Sequence, residues 1–159
     1  MKQEISPIQD SRRDFLALLG AGGVCLLSSA LFPHQSFATV EETLDAIKKI
    51  AGGKSPIEDK VSIALPKIAE NGNTVPFEVS VKSPMTERDY VKAIHVLAEE
   101  NPKPEVVTFH LTPMSGKAWV KSRMRLAKTQ SVIAVAEMND GAMYIGKQKI
   151  KVTIGGCGG

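Results

Sequence analysis

The chain has 159 residues, which is enough for one domain with a hydrophobic core but hardly for two. It carries 20 Lys and Arg against 17 Asp and Glu, a net charge of +3 at pH 7, and only 5% of its residues are aromatic. Because the charges are interspersed and form no basic run, this composition argues against a nucleic-acid-binding protein.

The first 38 residues have the features of a bacterial export signal. The sequence S-R-R-D-F-L at residues 11–16 places Arg12 and Arg13 directly before an apolar, glycine-rich stretch. A small-x-small motif, S-F-A, then predicts cleavage by signal peptidase after Ala38. The twin arginine is typical of the Tat pathway, which carries folded proteins, so we predict a periplasmic protein. A membrane anchor is the alternative, but the apolar stretch is shorter than the roughly 20 residues that a spanning helix needs.

Residues 39–51 predict an N-terminal helix. Thr39 and Glu42 have the spacing of a capping box, and Gly52 and Gly53 supply a stop. We expect the helix to pack on the domain, or on a partner, through one apolar face. Four residues at helical spacing form that face: Val40, Leu44, Ile47 and Ile50.

After the helix, apolar residues alternate with polar or small ones, which is typical of half-buried strands. The sequence 90–98 also allows a helix capped by T-E-R-D, but its β-branched content favours a strand. Sequences that favour turns, such as E-N-G-N and N-D-G, separate the predicted strands. Many short strands at regular spacing predict an all-β fold, an antiparallel sandwich. The predicted strands cover residues 61–65, 75–81, 90–98, 105–111, 118–126, 131–138, 142–145 and 149–154.

These patterns divide the chain into four parts. We predict a signal peptide over residues 1–38, the helix with its glycine stop over 39–53, the β-sandwich over 54–154 and a terminal arm over 155–159.

The polar residues of the predicted sandwich form no recognisable reactive group. His95 and His110 lie between apolar residues of predicted strands, and neither belongs to a metal-binding pattern. Ser115, in P-M-S-G-K, lacks the motifs of a nucleophile elbow and of a phosphate loop. The carboxylates are scattered, with no pair placed for acid–base chemistry. We therefore predict no catalytic residue, no metal site and no cofactor.

The chain ends in G-G-C-G-G. After removal of the leader, which contains Cys25, Cys157 is a single cysteine in an oxidising compartment, and this indicates an intermolecular disulfide or a working thiol. Glycine permits many backbone conformations, so the segment predicts a flexible arm with an accessible thiol. Four glycines surround the cysteine: Gly155, Gly156, Gly158 and Gly159.

A flexible arm is unsuited to a catalytic nucleophile, which must be held beside a base. It suits a covalent carrier, whose thiol is loaded by one enzyme and processed by others. One alternative is an exported interaction module in which Cys157 only forms intermolecular disulfides, and another is a glycine tail with an incidental cysteine. Ubiquitin-like sulfur carriers also end in Gly-Gly, but the export signal argues against them.

Three stretches resemble the SoxY family of bacterial thiosulfate oxidation. They are F-H-L-T-P-M-S-G-K-A at residues 109–118, A-K-T-Q-S-V-I-A-V-A-E-M-N-D-G at residues 127–141, and the terminal V-T-I-G-G-C-G-G. The resemblance extends over essentially the whole chain and implies an immunoglobulin-like sandwich. It also implies a periplasmic sulfur carrier that forms a heterodimer with SoxZ, in which Cys157 matches the carrier cysteine of the family.

The resemblance implies a sequence of visiting enzymes as well. SoxAX would join thiosulfate to Cys157 to give an S-thiosulfonate, and SoxB would release its terminal sulfone as sulfate. The remaining persulfide would be oxidised by SoxCD, or its sulfur passed elsewhere. The carrier itself would catalyse no step and would hold no cofactor.

Overall fold

The computed structural model describes residues 40–156 of the chain. Within this range there is one α-helix, α1 (Val40–Ile50), and one short 3-10 turn, Pro113–Ser115. No helix in this range is long and apolar enough to cross a membrane. The strands are β1 (Val61–Ala64), β2 (Ile68–Asn71), β3 (Val75–Val81), β4 (Val91–Ala98), β5 (Glu105–His110), β6 (Trp119–Met124), β7 (Gln130–Met138) and β8 (Met143–Ile154).

The strands form two sheets. The smaller sheet has the order β1-β3-β6, and the larger has the order β2-β8-β7-β4-β5. Every pairing is antiparallel except that of β2 with β8, which is parallel. The predicted all-β sandwich with an N-terminal helix is therefore confirmed.

The main core lies between the two sheets. Alternate residues of β3 are buried in it, and Phe77 packs against Phe109 with ring centroids 6.4 Å apart. Strand β7 lies in the middle of the larger sheet and is buried on both faces, which explains its nearly continuous apolar sequence. Val132 and Ala134 belong to the core between the sheets, whereas Ile133 packs in a second cluster with residues of α1.

The end of α1 matches its predicted stop. The Gly53 amide donates to the Lys48 carbonyl at 3.1 Å, and the Gly52 amide donates to the Lys49 carbonyl at 3.2 Å. With Gly52 at a φ of 59°, these bonds form a Schellman motif, which requires a residue that tolerates the left-handed region. Thr39, the predicted N-terminal cap, lies outside the described residues.

The buried face of α1 is rotated from the predicted one. Ile47 is buried as expected, but Val40 and Leu44 are 54% and 50% exposed. The side chains of Thr43 and Ala51 are buried in their place. Small residues let the helix approach the sheet closely, and an apolar periodicity alone does not reveal them.

Apart from shifts of one or two residues at strand ends, the strands differ from the prediction at two places. Strand β2 was not predicted, because residues 68–71 overlap the E-N-G-N turn signal. The two predicted strands 142–145 and 149–154 are a single strand, β8, with Gly146 paired to Ala134 in its interior. A Cβ on Gly146 would lie 2.9 Å from the Val61 carbonyl oxygen, so this glycine provides room for a neighbouring strand rather than a break.

Strand β4 carries a partly buried histidine on the face that α1 covers. The Nδ1 atom of His95 is 3.0 Å from the Thr108 hydroxyl, while its Nε2 atom is buried with no hydrogen-bond partner among the described residues. Desolvation by burial lowers the pKa of His95, although the charges of Glu137 and Glu105 oppose that shift. The folded protein therefore favours the neutral imidazole.

We predict that His95 makes the domain less stable as the pH falls. Below the ordinary histidine pKa of 6.5, the unfolded chain takes up a proton that the folded protein accepts only at lower pH. The free energy of unfolding should therefore decrease between about pH 7 and pH 5, and His95→Gln should remove part of this decrease. Urea denaturation across this range measures the free energy of unfolding of the parent and of His95→Gln. An unchanged pH dependence in His95→Gln would refute the assignment.

We predict that Ile47→Ala destabilises the domain by about 2–5 kcal/mol, because it removes a buried side chain from the contact between α1 and the larger sheet. Leu44→Ala, one turn earlier and half exposed, is the matched control and should cost less than about 0.5 kcal/mol. Urea denaturation of both variants compares them. Equal decreases in the free energy of unfolding would show instead that α1 packs on the sheet through the face predicted from its apolar spacing, which includes Leu44.

Candidate functional site

Strand β8 carries the chain to the end of the sandwich, where Cys157 follows directly after Gly156. The last residues of β8 pair in parallel with β2, with Ile154 opposite Asn71. Cys157 and the two glycines after it lie outside the described residues, as do the leader residues Arg12, Arg13 and Ala38. The described part of the candidate site is therefore the base of the predicted arm.

Three backbone hydrogen bonds connect the ends of β8, β2 and β6. The Gly72 amide donates to the Ile154 carbonyl at 2.7 Å, and the Leu126 amide donates to the Gly72 carbonyl at 2.8 Å. The Gly156 amide donates to the Leu126 carbonyl at 2.9 Å. These bonds hold the chain in place beyond the last residue of β8. We call this set of contacts, formed by Gly72, Leu126, Ala127, Gly155 and Gly156, the arm root.

The arm root requires glycine at three positions. A Cβ on Gly72 would lie 2.3 Å from the Leu126 carbonyl oxygen, and a Cβ on Gly156 would lie 2.0 Å from the Gly72 carbonyl carbon. A Cβ on Gly155 would lie 2.1 Å from the Ala127 carbonyl oxygen. Real Cβ atoms do not approach backbone atoms this closely, so a side chain at any of the three would push the backbones apart.

The flexible arm over residues 155–159 remains a prediction, and the structure describes its first two glycines alone. Gly155 and Gly156 contact the domain through their backbones, and Gly156 is buried. Sequence reasoning attributed these glycines to conformational freedom, whereas here the missing side chains permit close approach. No local signal could have shown this, because the contact partner Gly72 lies more than eighty residues earlier in the chain.

Two buried amide side chains hold the segment that contributes Leu126 and Ala127. Asn101 donates to the Arg125 carbonyl at 2.8 Å, and its side-chain oxygen accepts the Ala127 amide at 3.0 Å. Gln130 donates to the same Asn101 oxygen at 3.0 Å. Because Asn101 and Gln130 are 7% and 3% exposed, these bonds are shielded from water, and together they fix the position of the carbonyls that the arm contacts.

A threonine adds a direct connection between this segment and β8. The Val152 amide donates to the Thr129 hydroxyl at 2.9 Å, and that hydroxyl lies 3.3 Å from the Val152 carbonyl. The bond lies two residues before Ile154, the residue whose carbonyl accepts from Gly72. The segment that contains Leu126 and Thr129 therefore bonds to β8 before the strand ends, at Val152, and to the chain after the strand ends, at Gly156. Sequence reasoning did not single out any of the side chains that support the arm root.

No cluster of three or more histidine, cysteine or acidic residues that could hold a metal ion occurs between residues 40 and 156. A surface groove of about 610 Å³ lies beside Trp119, with Lys82 and Lys117 among its lining residues. None of the arm-root residues lines this groove. The described feature that continues into the cysteine is therefore the arm root itself.

Comparison with known proteins identifies the family. A family model described as sulfur oxidation protein SoxY matches residues 47–157, a range that ends on Cys157. The structure of the sulfur carrier protein SoxY from Chlorobium limicola f thiosulfatophilum is 32% identical, with a TM-score of 0.59, and the match covers 73% of this chain and 100% of that one. No curated protein sequence matches the chain significantly.

Two superoxide reductases share the fold at lower identity. The neelaredoxin from Ignicoccus hospitalis is 18% identical, with a TM-score of 0.53 over 59% of this chain and 80% of that one. A putative superoxide reductase from Thermotoga maritima is 21% identical, with a TM-score of 0.51 over 59% of this chain and 87% of that one. At such identities the likeness concerns the sandwich alone. The family match and the SoxY structure together show that this chain belongs to the SoxY family of sulfur oxidation proteins.

Proposed function

We propose that this chain is a periplasmic covalent sulfur carrier of thiosulfate oxidation and that Cys157 is its attachment site. The observation that carries the proposal is that the SoxY family match extends to Cys157, which follows directly after the glycine held at the arm root. A structural relative at 32% identity that is named a sulfur carrier protein supports it. The leader, with Arg12 and Arg13, would direct export of the folded protein by the Tat pathway, with cleavage after Ala38.

The thiol chemistry of such a carrier has two simple steps. In the first, the Cys157 thiol loses its proton and its sulfur bonds to the outer sulfur of thiosulfate, giving a cysteine S-thiosulfonate while two electrons pass to SoxAX. In the second, water attacks the terminal sulfone at SoxB, and sulfate leaves while a persulfide remains on Cys157. The persulfide is then a substrate for SoxCD, or its sulfur passes to another acceptor. Each bond is made or broken within a visiting enzyme.

The domain's contribution is to present the thiol. A catalytic cysteine needs a base and orienting donors around it, whereas a carrier thiol must leave one active site and enter the next. A rigid sandwich with the cysteine near one end meets the second need, since the reactive atom stays accessible while the rest of the protein stays folded. We therefore propose that this chain is a carrier and not an enzyme.

Family membership also supports a heterodimer with SoxZ. The exposed side chains of Val40 and Leu44 give α1 an apolar surface that faces away from the sheet. The outer face of β3 and β6 is mostly polar, as the ion pair between Lys121 and Glu78 at 2.6 Å illustrates, although it also exposes Trp119. Buried subunit interfaces are usually apolar, so these observations favour α1 over the smaller sheet as the SoxZ contact.

The proposal predicts sulfur adducts on a single residue. Intact-protein and peptide mass spectrometry of protein from the periplasm of thiosulfate-grown cells should show thiosulfonate and persulfide masses on Cys157. Cys157→Ser should reduce thiosulfate oxidation to background while changing the free energy of unfolding by less than about 0.5 kcal/mol.

The control variant is Met114→Ser, which removes the sulfur of a residue that is 97% exposed elsewhere on the domain and should leave thiosulfate oxidation unchanged. If Cys157 occurs only in disulfide dimers, or if Cys157→Ser oxidises thiosulfate at the normal rate, the chain is an interaction module instead of a carrier. Recovery of the protein only from the cytoplasm would contradict the proposed export.

A further inference from the structure

We propose that the arm root fixes the pivot of the carrier arm at Gly156, and that Gly72 is a positioning residue for Cys157. This inference rests on the proposed function, because positioning matters only if Cys157 is delivered to other enzymes. It differs from the picture of an arm that begins at the end of β8, since it places the pivot two residues later, at Gly156.

Gly72 is suited to this role because its amide and its carbonyl both form hydrogen bonds where β8 ends. Its amide bonds to Ile154, the last residue of β8, and its carbonyl accepts the amide of Leu126. Leu126 in turn accepts the amide of Gly156. Because a Cβ on Gly156 would lie 2.0 Å from the carbonyl carbon of Gly72, the two backbones are in direct contact. The position of Gly156 thus depends on a residue that is distant in sequence.

The position of Gly72 depends in turn on β2. That strand pairs in parallel with β8 through Ile68, Ala69 and Asn71, and Gly72 is the next residue along the chain. In addition, the Asn71 side chain accepts the Asn73 amide at 2.9 Å, which closes the turn around Gly72. The short strand β2 therefore brings a glycine to the place where β8 ends.

Anchoring at Gly156 shortens the reach of the thiol. Consecutive Cα atoms are about 3.8 Å apart, so the Cα atom of Cys157 lies within that distance of the held Gly156, whereas an arm free from Ile154 would extend roughly 10 Å. An enzyme that reacts with Cys157 must then approach the end of the sandwich closely.

The two glycines that flank Cys157 offer a matched test. Gly156→Ala and Gly158→Ala make the same chemical change on either side of the cysteine, and the first introduces a Cβ into the arm root. Gly72→Ala opens the root from the opposite side, with its Cβ 2.3 Å from the Leu126 carbonyl oxygen and 2.6 Å from the Gly156 nitrogen. Gly146→Ala, which crowds Val61 at 2.9 Å outside the root, controls for general strain in the domain.

The first readout is amide hydrogen exchange by nuclear magnetic resonance. In the wild type, the Gly156 amide should exchange at least about tenfold more slowly than the reference rate for an unstructured chain, because it donates to Leu126. Gly72→Ala should remove this protection, while Gly146→Ala should keep it. Exchange of the wild-type Gly156 amide at the reference rate would overturn the proposal.

The second readout is a nitroxide on Cys157 in the full chain, with Cys25→Ser so that a single thiol is labelled. The electron paramagnetic resonance spectrum should show faster motion in Gly156→Ala and in Gly72→Ala than in the parent, and no change in Gly158→Ala. Equal changes in Gly156→Ala and Gly158→Ala would mean that the root does not position the cysteine.

These two readouts need no thiosulfate, so they separate this inference from the carrier function. If sulfur adducts form on Cys157 but the root variants behave like their controls, the carrier proposal stands and the positioning role fails. If the root variants behave as expected but no adduct forms, the anchored cysteine has another use. If SoxAX loads thiosulfate onto Gly156→Ala at least about fivefold more slowly than onto Gly158→Ala, the positioning role of the arm root matters for the carrier function.

Discussion

At the end of β8, the backbone of Gly156 lies directly against that of Gly72, and the geometry of this end of the domain depends on that contact. Both residues must lack a Cβ, because either side chain would come within 2.3 Å of a backbone atom of the other strand or loop. Three backbone hydrogen bonds close around the contact through Ile154 and Leu126. The glycines thus let polar backbone groups satisfy one another where a strand would otherwise end with open donors and acceptors.

The rest of the sandwich keeps this contact in place. Strand β7 is buried on both faces, so the larger sheet has little freedom to slide, and β8 pairs with β7 along most of its length. The buried amides of Asn101 and Gln130 hold the segment between β6 and β7, and that segment presents the carbonyls of Leu126 and Ala127. A cysteine that follows such a base starts from a defined position. For the proposed carrier, this arrangement gives the visiting enzymes a defined base beside which to find the thiol.

Local patterns in the sequence predict much of the fold. Strand β3 follows from its strict alternation, β7 from its apolar run, and the end of α1 from Gly52 and Gly53. The count and position of the cysteines predict Cys157 as the functional residue, and this remains a prediction because Cys157 lies outside the described residues. The failures have a common physical cause, which is that the same residue serves different purposes in different surroundings. Gly146 lies inside β8 and Gly156 lies beside Gly72, so each glycine permits the close approach of a backbone that is distant in sequence. Such contacts form only in the tertiary structure, and no local pattern in a single sequence indicates them.

If the arm root holds the backbone as far as Gly156, the carrier arm moves freely only from Cys157 onward and not from the end of β8. Nitrogen-15 relaxation over residues 150–159 of the protein tests it most directly, because it reports the order of each backbone amide separately. Order parameters should stay near 0.85, the usual value for rigid backbone, through Gly155 and Gly156 and should fall only from Cys157 onward. Values below about 0.6 already at Gly155 would contradict it, since the arm would then move freely from the last residue of the sheet.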